Sequence, residues 1–270
     1  MHTAFGASKD CEFRQWQIHS PFIHYFHSMN SPLLHLLKSP KTLLSVLIDP
    51  DKQTEKSLHT MAESIHRSKV DVVLVGGSLL LNGLFEKTIE ILKAETKVPV
   101  IIFPGNNYQV SSRADAILLL SLISSRNPEY LIGQQVIAAP MLRQAGIPVI
   151  PTGYMLIDGG RVSTTSYITQ SLPIPADKTD IAMATAMAGE MLGLQAIYLE
   201  AGSGASRPVP VGMLQAVKNN VSIPVIVGGG IREPEQAEAL SQAGANMLVI
   251  GNVLEQSPEL LLELSLAVHG

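Results

Sequence analysis

The chain has 270 residues, a formal net charge of −4, one cysteine, and 46% hydrophobic but only 5% aromatic residues. That charge excludes nucleic-acid binding carried by bulk electrostatics, and a lone Cys11 excludes an intrachain disulfide. The purest apolar stretches, Ala116–Leu120 and Met247–Ile250, fall far short of the ~18 residues that span a bilayer, and no apolar signal-peptide core opens the sequence. A cytoplasmic protein without a membrane span is expected.

Residues 1–28 are rich in His and aromatics and lack any strand or helix period, so they read as an N-terminal extension with poor order, ahead of a single domain over 29–270. The cluster His19, His24 and His27 in that stretch is not assigned to a metal. From residue 43 onward, short apolar runs alternate with helix-period segments, the signature of repeated βα units. The predicted strands are Leu43–Asp49, Val72–Gly76, Val98–Phe103, Ala116–Leu122, Pro148–Pro151, Ala196–Glu200, Pro224–Val227 and Met247–Ile250. Eight strands in a chain near the ~250 residues typical of the fold predict an α/β chain of (β/α)8, or TIM-barrel, type.

Helical stripes follow most strands. Thr54–Lys69 places Leu58, Met61 and Ile65 on one face, Phe85, Ile89 and Leu92 repeat the pattern, and Pro234 opens a helix carrying Ala237 and Leu240 that Gly244 ends. The link Pro104–Asp115 is too short for a loop, a helix and a return, so the third barrel helix is expected to be missing or reduced. After the fifth strand, Thr152–Asp177 reads as a long excursion over the barrel mouth, its helix deferred to Thr179–Leu192.

Working residues of such barrels sit at the C-terminal ends of the strands. Glycines follow the sixth (Gly202, Gly204), seventh (Gly228–Gly230) and eighth (Gly251) strands, where backbone N–H groups can approach an anion with no Cβ in the way. Tight βα turns alone would also use glycine, but three neighbouring loops together point to a phosphate. Asp49 is a lone acid ending an apolar strand. Asp51, nearer to Thr54, is expected to cap the following helix, leaving Asp49 for function. With the hydroxyl of Ser78, waters and substrate phosphate oxygens, Asp49 would complete a Mg²⁺ shell, because Mg²⁺ seldom uses an all-protein cage. Glu200 precedes the glycine loop of strand six and is placed to bind or deprotonate a substrate hydroxyl. Tyr198, two residues earlier, shares its side of the strand. No Schiff-base lysine, zinc cluster or G-x-S-x-G elbow is present. Transfer of a group leaving with a metal-bound phosphate fits this sparse equipment.

In order along residues 40–255, Leu47-Ile-Asp-Pro-Asp-Lys52, Val75-Gly-Gly-Ser78, Phe103-Pro-Gly-Asn106, Tyr198-Leu-Glu-Ala-Gly-Ser-Gly204, Val227-Gly-Gly-Gly-Ile231 and Ile250-Gly-Asn252 resemble the geranylgeranylglyceryl phosphate synthases. The resemblance implies a Mg²⁺-dependent prenyltransferase of phospholipid biosynthesis. It would join a polyprenyl diphosphate to sn-glycerol 1-phosphate and commonly self-associate. It implies Asp49 and Ser78 as metal-binding residues and Glu200 as the base. Tyr198, Leu199, Glu200, Ala201, Gly202, Ser203, Gly204, Gly229, Gly230, Gly251 and Asn252 would hold glycerol phosphate. The related heptaprenyl branch carries a lysine two residues before the metal-binding Asp; here Leu47 stands there, leaving Lys52 and Arg161 as candidates for the diphosphate's cation partner. The Ala- and Met-rich stripe Ala182, Met183, Ala186 and Met187 is a candidate lining for the prenyl chain, with plain helix-to-barrel packing as the alternative. A phosphate-ester isomerase or lyase, or a catalytically silent phosphate-binding barrel, is the rival reading.

Overall fold

Runs of Val, Ile and Leu without polar alternation form strands that are buried on both faces. In the computed structural model, which describes residues 32–270, eight of them close into a parallel barrel in chain order. They are β1 (Leu43–Ile48), β2 (Val72–Val75), β3 (Val100–Ile102), β4 (Ala116–Leu122), β5 (Val149–Leu156), β6 (Ala196–Glu200), β7 (Val225–Gly228) and β8 (Met247–Ile250). Closure pairs Leu43 with Met247 and Val46 with Ile250. The residues named in the expected extension, including its histidines, lie outside the described residues.

Alternation divides the core into two layers. Inward-facing Val72, Leu74, Ile101, Leu118, Ile150, Tyr198, Ile226 and Met247 fill the barrel. Outward-facing Val46, Val73, Ile102, Ile117, Ile197, Val227 and Leu248 meet the helices. Each such fully buried aliphatic side chain contributes roughly 1.5–3 kcal/mol.

A short helix α1 (Pro32–Leu37) precedes the barrel, and α2 (Glu55–Arg67), α3 (Phe85–Glu95), α4 (Gln134–Ala145), α5 (Thr164–Thr169), α6 (Thr179–Met191), α7 (Val211–Asn220), α8 (Pro234–Gln242), α9 (Asn252–Gln256) and α10 (Leu260–His269) follow. Helix α2 shows why its sequence is helical: Thr54 and Ser57 form a reciprocal capping box, and Leu58, Met61, Ala62 and Ile65 bury one stripe. The N-cap is therefore Thr54, not Asp51. Asp51 instead accepts the amides of Leu81 (2.6 Å) and Asn82 (3.2 Å), tying the first loop to the second.

Between β3 and β4 there is no helix, as the length of that link predicts. The fifth strand differs from expectation. It does not stop at Pro151 but runs to Leu156, pairing Tyr154 with Tyr198 and Leu156 with Glu200. The ladder continues on both sides of Pro151, and Gly153 leaves room where Ile123, Ile197 and Leu194 crowd the strand. The excursion thus starts at Ile157 and contains α5 before α6. Among the described residues no helix is long and apolar enough to cross a membrane.

Candidate active site

Two cavities open at the C-terminal end of the barrel. One is the more polar of the two and is bordered by Asp49, Lys52, Ser78, Tyr198, Glu200, Ser203, Gly204, Gly229, Gly230, Gly251 and Asn252. The other, about 880 Å³ including its open mouth, is apolar and lies where a third helix would have packed: Ile117 and Leu119 of β4 face Ala138 and Leu142 of α4 across it. Gly77, Ser78, Phe103, Tyr154 and Thr165 border both cavities, so the two meet at one junction.

The polar cavity is built by loops that are cross-linked to one another. Ser203 Oγ donates to Asn252 Oδ1 at 2.8 Å, joining the loops after β6 and β8. Arg232 donates to the carbonyls of Ala205 (2.8 Å) and Gly204 (3.3 Å), joining the loops after β7 and β6. Gly229 and Gly230 adopt φ of +82° and +73°, which L side chains rarely reach. A Cβ at Gly229 would also collide with Glu200 Oε1 and lie 2.6 Å from Gly202 N. Among the described residues, no protein acceptor faces the N–H groups of Gly229 or Gly230. Both glycines border the cavity, and their unpartnered amides suit a cradle for an anion.

Glu200 ends β6 and is only 6% exposed. Its Oε1 accepts the Gly202 amide at 2.7 Å. Burial pushes its pKa up to about 7, against the opposing pull of that amide and of the nearby Tyr198 phenol. The phenol lies beside the carboxylate but outside good hydrogen-bond geometry, and its oxygen is otherwise unpartnered. Burial also holds the Tyr198 and Tyr154 phenols well above their ordinary pKa, so both stay protonated.

Asp49 both caps the 3-10 turn Pro50–Lys52, accepting Asp51 N–H at 3.1 Å, and borders the cavity. Burial raises its pKa, while the Asp51 amide and Lys52, 3.8 Å away, oppose the rise. Lys52 also pairs with Glu255 at 3.0 Å. The glycines of the second and third loops interlock. A Cβ on Gly76 would strike the Phe103 carbonyl, one on Gly105 would lie 2.7 Å from Ser78 Cα, and one on Gly77 would lie 2.8 Å from Asp49 Oδ1. These contacts place Ser78 next to Asp49's loop, with Ser78 Oγ 3.4 Å from Thr165 Oγ1.

Of the residues singled out from sequence, Asp49, Ser78, Tyr198, Glu200, Ser203, Gly204, Gly229, Gly230, Gly251 and Asn252 come together around this cavity. Leu199, Ala201 and Gly202 do not border it. Leu199 and Ala201 face outward into the layer between barrel and helices, as strand alternation requires, and Gly202 spends its amide on Glu200. Arg161 does not border either cavity, whereas Lys52 does. The stripe on α6 is not the apolar lining. Ala182, Ala186 and Gly189 are buried against the barrel, with Gly189 and Gly153 crowded by the same three side chains. Sequence reasoning missed Gln109, Arg232 and Thr165. Buried Gln109 donates to Gly77 O at 2.8 Å and accepts from Gly105 N at 3.2 Å, doing in the helix-free link what a helix cannot.

A model of the PcrB family matches residues 40–268. The chain belongs to the PcrB family. Within it, the chain is 49% identical over 231 residues to the geranylgeranylglyceryl phosphate synthase of Spirosoma linguale, covering 86% of this chain and 93% of the relative. It is 41% identical over 224 residues to the enzyme of that name from Korarchaeum cryptofilum, covering 83% and 92%. This PcrB-family barrel also superposes, with a TM-score of 0.82 and 36% identity, on the crystal structure of (S)-3-O-geranylgeranylglyceryl phosphate synthase from Thermoplasma acidophilum in complex with its substrate sn-glycerol-1-phosphate, over 88% of this chain and 97% of that one.

Proposed function

We propose that this chain is a prenyltransferase that joins geranylgeranyl diphosphate, or a similar polyprenyl diphosphate, to sn-glycerol 1-phosphate, forming an ether-linked prenylglyceryl phosphate. The observation that carries the proposal is the junction. An anion cradle with a buried carboxylate opens directly into an apolar cavity. A sugar-phosphate isomerase would need no apolar cavity beside its phosphate site.

In this reading the loops after β6, β7 and β8 hold the glycerol phosphate. The prenyl chain lies between β4 and α4, where each buried CH₂ contributes about 0.8 kcal/mol. Asp49 and Ser78 are hard oxygen donors on adjacent loops, and a single carboxylate with a hydroxyl fits Mg²⁺ that also uses substrate phosphate oxygens. Among the described residues no group of three His, Cys, Asp or Glu could hold a metal unaided, which suits a metal that arrives with its diphosphate. When bound, Mg²⁺ would neutralise charge on the leaving diphosphate. Lys52, beside Asp49 in the same cavity, is the cation assigned to that diphosphate. Glu200, with a pKa of about 7, takes the proton of the attacking glycerol hydroxyl. The same reading places the protein in the cytoplasm and has it self-associate, checked respectively by fractionation of cells and by light scattering.

The test is incubation with Mg²⁺, radiolabelled glycerol 1-phosphate and a series of polyprenyl diphosphates, followed by extraction into organic solvent. Label should enter the organic phase and vanish with chelator or with Asp49→Ala. Bound glycerol phosphate with no extractable label from any prenyl donor would overturn the proposal in favour of another phosphate-ester enzyme.

A further inference from the structure

Three aromatic rings meet at the junction of the two cavities in a protein with only 5% aromatic residues. Phe103 stacks on Tyr198 with centroids 5.1 Å apart and planes at 28°. Tyr154 tilts against both, at 6.0 Å from Phe103 and 5.4 Å from Tyr198. Tyr198 and Tyr154 are buried, and the half-buried Phe103 borders the polar and the apolar cavity together with Tyr154. The backbone holds Phe103 there, because Gly76 has no Cβ to push against its carbonyl.

Resting on the function proposed above, a prenyl diphosphate that spans the two cavities must place its diphosphate on the polar side and its chain on the apolar side. Its reacting carbon then falls at the junction. We propose that Phe103, backed by Tyr154 and Tyr198, is a catalytic residue whose ring face stabilises the positive charge that develops on the allylic carbons. In the reaction the C1–O bond to the diphosphate breaks and its electron pair leaves on the diphosphate. The glycerol hydroxyl oxygen supplies the pair for the new C1–O bond, and its proton goes to Glu200. As the first bond loosens ahead of the second, positive charge spreads over C1 and C3 of the prenyl unit, where the negative face of an aromatic ring attracts it. Water, the alternative source of stabilisation, would trap the same carbon as an alcohol. A ring wall stabilises the charge and keeps water out. The two phenols remain protonated, so the wall acts through its π faces rather than through a phenolate.

The experiment replaces Phe103 alone with 4-fluoro-, 3,5-difluoro- and 3,4,5-trifluorophenylalanine, which drain the ring face stepwise while nearly preserving its shape. Single-turnover rates with geranylgeranyl diphosphate and glycerol 1-phosphate are read beside the dissociation constant of geranylgeranyl diphosphate. The rate should fall with each fluorine, to about 5- to 30-fold below wild type at three, while the dissociation constant stays within about twofold. Phe103→Trp should retain most of the rate and Phe103→Leu should lose it. A rate flat across the fluorinated series overturns the inference and leaves Phe103 a shape-filling residue. Wild-type protein that turns over no allylic diphosphate would instead overturn the proposed function, so the two failures are distinct.

Discussion

Replacing Glu200 by Gln removes one charge and little else, because the amide oxygen of Gln can still accept the Gly202 N–H that now meets Oε1 at 2.7 Å. Burial moves the Glu200 pKa from 4.5 to about 7, which at ~1.4 kcal/mol per pH unit corresponds to about 3 kcal/mol of disfavoured charge. The sign follows from linkage. Between the two values the folded protein keeps a proton that the unfolded chain releases. Stability from this group is therefore complete below pH 4.5 and is lost as pH rises through about 7. Wild type should lose about 3 kcal/mol relative to Glu200→Gln between about pH 4.5 and pH 8. Urea unfolding of both proteins, followed by far-ultraviolet circular dichroism across that range, measures the difference directly. Parallel stability profiles would refute the reasoning, since they would mean that Glu200 titrates alike in both states. The kinetic counterpart is a wild-type kcat/KM that rises through a pKa near 7, with Glu200→Gln lower by about 10²- to 10⁴-fold above that pKa and the gap narrowing below it.

Asp49→Asn should weaken binding of Mg²⁺ with inorganic pyrophosphate by at least about tenfold in calorimetry, leaving glycerol 1-phosphate affinity within about twofold. Because proton and metal compete for a carboxyl whose pKa is already raised by burial, wild-type affinity for that pair should fall as pH is lowered. Ala138→Phe fills the cavity between β4 and α4; KM for a C20 donor should rise more than KM for a C10 donor, as steady-state assays with both will report. Gly105→Ala puts a Cβ 2.7 Å from Ser78 Cα and should cost about 1–3 kcal/mol in urea unfolding.

The strand ends are readable in the sequence because most apolar runs stop at a polar or glycine residue, and most boundaries fall within a residue or two of the observed ones. The absent third helix was readable too, since a dozen residues cannot hold a turn, a helix and a return. The fifth strand misled because Pro151 and Gly153 look like punctuation. Only the neighbouring strands reveal that the ladder continues past them, which moves Tyr154 from a loop into the aromatic wall. The Ala- and Met-rich stripe of α6 reads either as a chain lining or as close helix-to-barrel packing, and its small residues serve the packing. The apolar cavity is lined by Ile117 and Leu119, on a strand that is apolar on both faces, so alternation carries no mark of the side left uncovered. Gln109 and Arg232 act through contacts made only after folding. Phe103 carries one usable signal in the sequence, a large aromatic at a strand end in an aromatic-poor chain.

Leaving out one helix has a consequence for the folded state itself. Over Ile117 and Leu119 the outer face of the barrel borders an apolar cavity instead of a packed helix. A polyprenyl tail lying there would do the work of the omitted helix, and the substrate would then be a transient part of the hydrophobic core. Binding the tail should therefore raise the midpoint of thermal unfolding in proportion to the number of isoprene units accommodated. Release of the lipid product should return the midpoint to that of the ligand-free barrel.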